Sequence, residues 1–262
     1  MKSLSIYQVD AFTSNLFGGN PAAVCPLDEW LEDHLLQSIA LENNLAETAF
    51  FIKDGERFHL RWFTPEIEMD LCGHATLASA HVIFNHLAYD KEEIIFNSAS
   101  GQLSVQKSGD LLTLNFPSRP AVPCELPDII LEGIGQTPLA SFKARDYLLI
   151  YPDEQAVLDI QPNEALLNTI NIDPGGIIVT ASGKEVDFVS RFFTPQASIF
   201  EDPVTGSAHC TLIPYWAERL GKNELKAYQL SARKGELFCE LAGDKVLISG
   251  KAITYLKGEV FI

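Results

Sequence analysis

Glu47, Asp70, Cys72, His74, Asp202 and Ser207 are the side chains whose types and spacing could do chemistry in this sequence. Asp70 and His74 stand four apart, a spacing that lets a carboxylate orient an imidazole and hold its proton across a helix start. Asp202 and Ser207 hold a related place further along, with one more residue between them. A structural hydrogen bond at a helix cap is the other reading of either pair. Glu47 is the lone carboxylate in Leu45-Ala46-Glu47-Thr48-Ala49-Phe50-Phe51. Facing water, it only solvates a strand. Withdrawn into a poorly solvated pocket, it suits a general acid/base.

The elements that must position these groups come in two copies. Arg61-Trp62-Phe63-Thr64-Pro65 leads to Asp70-Leu71-Cys72-Gly73-His74-Ala75-Thr76, which opens an apolar run. Arg191-Phe192-Phe193-Thr194-Pro195 leads to Asp202-Pro203-Val204-Thr205-Gly206-Ser207-Ala208-His209 and a second such run. Each run reads as a buried helix, over 73–87 and 206–220, because neither has a wet face. A helix's first turn has unpaired N–H groups and a partial positive charge, and glycine lets a ligand come close. Gly73 and Gly206 facing one cleft would hold a carboxylate. Ordinary capping by Asp70, Thr76, Thr205 or Ser207 is the alternative. Cys72 invites comparison with racemases that use two thiols, but the matching residue of the second copy is Thr205, which cannot serve as a base at neutral pH. Cys210 is the nearest substitute and is out of register.

With 262 residues, the chain is long enough for one large domain or two small ones. Its net charge of −16 argues against nucleic acid and anionic membrane partners. No apolar run reaches transmembrane length, and Met1 to Asp10 reads as a strand rather than a signal peptide. Five cysteines without CxxC spacing fit reduced thiols, so the cytoplasm is the expected compartment. His74, His81 and His209 lack HxxxH or HExxH spacing, and no metal is expected. With no phosphate loop or dinucleotide fingerprint, no cofactor is expected either.

Strand alternation begins at Leu4, and Asp54-Gly55 marks a hairpin. A helix is predicted from 27–29 to Asn43-Asn44, with Leu31, Leu35, Leu36 and Ile39 on its apolar face. Short helices are predicted over 127–135 and 163–169, and Pro214 should bend the second long helix. The proline cluster 117–123 is the crossover. The pattern predicts an α+β fold of two similar pseudo-two-fold domains, each a mostly antiparallel, barrel-like sheet around a buried helix, with the ligand site in the cleft between them. The domains are drawn at 1–118 and 119–254, with the final strand 255–262 assignable to the first.

These motifs, with Asp10-Ala11-Phe12, Gly19-Asn20-Pro21-Ala22-Ala23-Val24 and Glu47-Thr48-Ala49-Phe50, together resemble the phenazine-biosynthesis-like (PhzF-like) isomerases over nearly the whole chain. The resemblance implies the diaminopimelate-epimerase-like fold and cofactor-free isomerisation by a proton shift between carbons. The best-understood family reaction is that of trans-2,3-dihydro-3-hydroxyanthranilate. The family's glutamate base corresponds to Glu47, its histidine and aspartate partners to His74 and Asp202, and its serine at the second helix start to Ser207. Family members are commonly homodimers. The stretch 229–237 departs from the phenazine enzymes, so the resemblance implies proton-shift chemistry on a small carboxylate rather than that particular substrate. Asp70, Gly73, Gly206 and Ser207 are the expected substrate-binding residues. Two other functions fit the same residues: an amino-acid racemase or epimerase, and a non-catalytic binder of small acids.

Overall fold

Each half of the chain wraps strands around one apolar helix, and the strand order repeats. The computed structural model describes residues 3–172 and 175–262. The expected N-terminal strand includes Met1 and Lys2, which lie outside that range. The chain divides into two units, Met1–Asn115 with Ser249–Ile262, and Phe116–Ile248.

The first unit contains β1 (Ser3–Ala11), β2 (Asn20–Leu27), α1 (Asp33–Asn43), β3 (Glu47–Asp54), β4 (Arg57–Phe63), β5 (Glu68–Met69), α2 (Gly73–His86), β6 (Glu93–Ser98) and β7 (Gly101–Ser108). Strand β8 (Leu111–Pro117) then carries the chain across the boundary. The second unit contains β9 (Val122–Pro123), α3 (Asp128–Ile134), β10 (Ala140–Lys143), β11 (Tyr147–Ile150), α4 (Glu154–Asp159) and α5 (Glu164–Leu167). It continues through β12 (Ile177–Ser182), β13 (Phe188–Phe193), α6 (Gly206–Leu220), β14 (Glu224–Gln229) and β15 (Gly235–Ala242). Strand β16 (Lys245–Gly250) leads back to β17 (Ala252–Phe261), which pairs with β1.

In the first unit β1–β2 is antiparallel, β2–β3 parallel, β3–β4 antiparallel, β4–β6 parallel and β6–β7 antiparallel. In the second, β10–β11, β11–β12, β12–β13, β13–β14 and β14–β15 follow the same alternation. The α+β class and the duplicated design therefore hold, with parallel pairs interleaved among the antiparallel ones.

Helix α2 packs against β1, β2, β3 and β17, and Leu77, Ala78, Ala80, Val82 and Ile83 have no exposed surface. Helix α6 is buried in the same manner, contains Pro214 without interruption, and stops at Gly221, whose left-handed conformation directs its N–H to the Ala217 carbonyl. A second layer seals the outer faces: Leu36, Ile39 and Ala40 of α1 pack with Leu4, Ile6, Phe50 and Phe63 in the first unit. In the second, Val157 and Leu167 pack with Ile177, Val179 and Phe193.

Two local expectations are corrected. Helix α1 begins at Asp33 rather than near 27–29, because parallel pairing of 22–27 with 47–52 keeps the chain extended through Leu27. Helix α4 was not foreseen, although Asp153 caps it by accepting from the Ala156 N–H at 2.9 Å.

Burial on all sides makes α2 intolerant of truncation. Ile83→Ala should lower unfolding free energy by about 2–5 kcal/mol, whereas Leu41→Ala, on the exposed side of α1, should change it by no more than about 0.5 kcal/mol. Urea unfolding of both variants checks this.

Candidate functional site

A pair of arginine clamps prepares the loop before each buried helix. Arg61, on β4, donates from Nε and Nη2 to the two Glu68 oxygens at 2.6 and 2.7 Å, and its guanidinium lies over the Phe63 ring. Arg191, on β13, grips Glu201 in the same bidentate way at 2.7 and 3.0 Å and lies over Phe193. Arg191 Nη1 also donates to the Val157 and Ile160 carbonyls. Within each loop a threonine N–H closes the turn, Thr64 on the Ile67 carbonyl and Thr194 on the Phe200 carbonyl. The Arg-x-Phe-Thr-Pro repeat was visible in the sequence; its acidic partners were not, because Glu68 and Glu201 follow at different separations.

In the first unit, α2 begins at Gly73 and places His74 in its first turn, 4 % exposed. Glu47 is the first residue of β3, and its Oε2 lies 3.0 Å from His74 Nε2, off the line of a hydrogen bond. Asn20, the first residue of β2, sets its amide nitrogen 3.1 Å from His74 Nδ1. That arrangement suits a neutral ring protonated at Nε2. Turning the amide would offer Oδ1 to a protonated Nδ1, so Asn20 can serve either charge state.

Burial works against an imidazolium at His74, but the neighbouring Cys72 and Glu47 outweigh it and hold the pKa well above the ordinary 6.5. Burial, reinforced by Glu47, pushes the Cys72 thiol up to about 11. Cys72 is therefore a neutral thiol at physiological pH.

Asp70 does not join His74. It is exposed and precedes the helix, so the four-residue spacing does not bring the two together as it would within a helical turn. Its carbonyl accepts from Ser100 Oγ.

In the second unit, Asp202 Oδ2 accepts from Thr205 Oγ1 at 2.5 Å. Gln229 Nε2 donates to the Asp202 carbonyl and to Thr205 Oγ1, while its Oε1 accepts from the Thr205 N–H. The Asp202 carboxylate is thus held by Thr205 rather than by Ser207, which sits half-buried in the first turn of α6. Gln229 was not singled out beforehand, because a glutamine at a strand end has no motif of its own. His209 is fully buried, with Nδ1 2.8 Å from the Thr205 carbonyl, and burial pushes its pKa down to about 4. It is a neutral core histidine.

Neither helix start is capped by the side chain of its N-cap residue. Thr76 instead donates to the Cys72 carbonyl, and the Thr205 hydroxyl goes to Asp202.

Register identifies the counterpart of Glu47. Phe50 pairs with Arg61 and Val179 with Arg191, so Glu47 corresponds to Gly176. A Cβ there would lie 2.3 Å from Phe192 Cζ. A glutamate at this position would have to displace the Phe192 ring and would crowd the Phe193 carbonyl.

Glu47, Cys72 and His74 carry ligand-type atoms within 4.8 Å of one another. Cys72 Sγ lies 3.6 Å from Nδ1, whereas Glu47 stands at Nε2. The Cys72 thiol, pushed up to about 11, would have to give up its proton before the trio could hold a cation.

The family model described as phenazine biosynthesis-like protein matches residues 9–258. The chain belongs to the PhzF-like family. It is 49 % identical over 260 residues to an uncharacterized isomerase of Pseudomonas aeruginosa, with 99 % of each chain covered. A crystal structure of a PhzF-family protein from Enterococcus faecalis superposes with a TM-score of 0.96 at 45 % identity and complete coverage of both chains. A hydroxyproline epimerase from Agrobacterium vitis shares the fold, with a TM-score of 0.63 at 11 % identity, covering 98 % of this chain and 92 % of that one. Isomerase is the enzyme class of this PhzF-like chain. Among the described residues no helix is long and apolar enough to cross a membrane.

The raised pKa of His74 has a definite sign in stability. Its contribution is complete below pH 6.5 and is lost as pH rises through the higher native value. His81 and His209, pushed down to about 4, contribute in the opposite sense, fully above pH 6.5 and progressively less as pH falls toward 4. Histidine NMR should find His74 titrating above 6.5 and the other two far below it. In Glu47→Gln the His74 titration should move down.

Proposed function

We propose that this PhzF-like protein is a cofactor-independent isomerase in which Glu47 removes a proton from one carbon of a small carboxylate and returns it to a nearby carbon on the same face. The observation carrying this reading is the buried contact between Glu47 and His74 at 3.0 Å. An acid/base must stay available in both charge states, and Glu47 has a partner suited to both. While Glu47 is ionised, it favours the proton on His74. Once Glu47 holds the substrate proton, that attraction is relieved and the ring can lose or share its own. No net proton is gained or lost over the cycle, so the chemistry asks for no redox or electrophilic cofactor.

The uncapped first turns at Gly73 and Gly206 would bind the substrate carboxylate and stabilise charge developing on it. Asp202, fixed by Thr205 and Gln229, would hold a polar group of the substrate, with Ser207 beside it and Asp70 at the entrance. Five free cysteines suit a reducing compartment, the cytoplasm.

A two-thiol racemase is disfavoured by the raised pKa of Cys72 and by Thr205 at the matching position. A non-catalytic small-acid binder would use the same helix starts but would never introduce solvent deuterium into its ligand.

The test is a thermal-shift screen of small carboxylates, followed by deuterium-exchange NMR on the hits. Exchange into a turned-over ligand is expected. Glu47→Gln should slow it by about 10²–10⁴-fold while ligand binding persists and Tm falls as the contribution of the raised His74 pKa is lost. Unimpaired exchange in Glu47→Gln would remove the assignment.

A further inference from the structure

We infer that Glu47, Cys72 and His74 form a zinc site whose occupation shuts off the acid/base. The ion site stands on the geometry of the first unit; only its effect on catalysis rests on the role proposed above for Glu47.

Cys72 has no task in the proposed reaction, yet it sits against the ring that does. It is the N-cap residue of α2 and is buried, 6 % exposed. A tetrahedral zinc ion bonds sulfur at about 2.3 Å and imidazole nitrogen at about 2.1 Å, which sets those two atoms about 3.6 Å apart. Cys72 Sγ and His74 Nδ1 are 3.6 Å apart. The extended Cys72 backbone and the first turn of α2 fix that spacing, since only Gly73 separates the two residues.

Glu47 brings the third ligand from β3. Its ligand oxygen lies within 4.8 Å of both the sulfur and the ring, so it must close by about an ångström to meet tetrahedral distances. Its side chain is 15 % exposed, and moving toward the ion draws it off Nε2. Asn20 Nδ2 faces Nδ1 at 3.1 Å. Turning that amide presents an oxygen to the ion in place of the nitrogen.

The donor set selects the metal. Thiolate and imidazole suit zinc, whereas Mg²⁺ takes oxygen ligands. As the Zn–S bond forms, the Cys72 thiol proton leaves to solvent. Thiolate and carboxylate together then neutralise the dication, in a place where an uncompensated charge is costly. A chain of net charge −16 also draws cations toward it. The sequence shows no zinc spacing because Glu47 arrives from another element. With its carboxylate on zinc, Glu47 is no longer available to take a proton from carbon.

Binding is tested without substrate, on the chelator-treated full-length protein. Zn²⁺ should bind one ion per chain and raise Tm, and Mg²⁺ should do neither. Co²⁺ in its place should give a thiolate-to-metal absorption band. Cys72→Ser should abolish the band and weaken Zn²⁺ binding by at least about a hundredfold, more than the loss from a group that only orients a ligand. Cys124→Ser, at the one thiol that is not buried, should bind like wild type. A cooperative unfolding transition for each metal-free variant verifies folding. Zn²⁺ binding no tighter than that of Mg²⁺, binding that survives Cys72→Ser, or Co²⁺ without a thiolate band would overturn the site. On a carboxylate that exchanges deuterium, Zn²⁺ should stop exchange, and this inhibition should weaken in Cys72→Ser in step with binding. Bound Zn²⁺ that leaves exchange unchanged or raises it would overturn the inhibition. If no carboxylate exchanges, the proposed reaction fails while the binding measurements still decide the zinc site.

Discussion

A carboxylate withdrawn from water needs a partner, and in this molecule much of the first unit is arranged around supplying one. Glu47 and His74 come from elements separated by a hairpin and a loop, yet their side chains meet at 3.0 Å. An unpaired charge at such a place costs several kcal/mol. The fold must therefore bring the start of β3, the start of β2 and the first turn of α2 to one end of the sheet. The parallel β2–β3 register does so, setting Ala22 opposite Glu47 and Asn20 against the imidazole. The same charge that keeps a proton on His74 helps to keep Cys72 a neutral thiol. Burial does most of the work at Cys72, and the carboxylate beside it adds to the effect.

Duplication supplied the frame but not the chemistry. Both units keep the alternation of strand pairings, the bidentate arginine clamp, and the helix that starts on glycine with no N-cap side-chain bond. They part at the position of Glu47. The first unit has a carboxylate there; the second has Gly176, where any side chain would displace the Phe192 ring and crowd the Phe193 carbonyl. In compensation the second unit builds a fixed polar lattice from Asp202, Thr205 and Gln229, which has rigid geometry rather than a mobile proton. The clamps explain how two loops of different length deliver similar helix starts: a guanidinium fork accepts only one orientation of its carboxylate, so the chain between may vary.

The same economy governs the last strand. Strand β17 returns to the first unit and pairs with β1, and Thr254 on it meets the ring nitrogens of both His81 and His86 on α2 at 2.9 and 2.8 Å. Burial keeps His81 neutral near physiological pH, so this contact is a hydrogen-bonded tether rather than an ion pair. The strand is thereby held by the sheet and by the buried helix together.

The duplicated Arg-x-Phe-Thr-Pro and glycine-led helix motifs determined, from sequence alone, the α+β class, the two buried helices and the family. Local pattern suffices for these because a helix that is apolar all round and a repeated motif leave few alternatives. Glu47, His74 and Asp202 were legible as candidates for the same reason, each being polar where its neighbours are not. Their partnerships were not legible. The four-residue spacing pointed to Asp70 for His74, but the helix starts after Asp70, and the true neighbours, Glu47 and Asn20, lie 27 and 54 residues away. Gln229, 24 residues from Thr205, was hidden likewise, and α1 began late because strand pairing overrode local helix preference. Sequence spacing reports contacts within one element; the raised pKa of His74, the grip on Asp202 and the crowding at Gly176 arise between elements, where only the packed chain sets distance and burial.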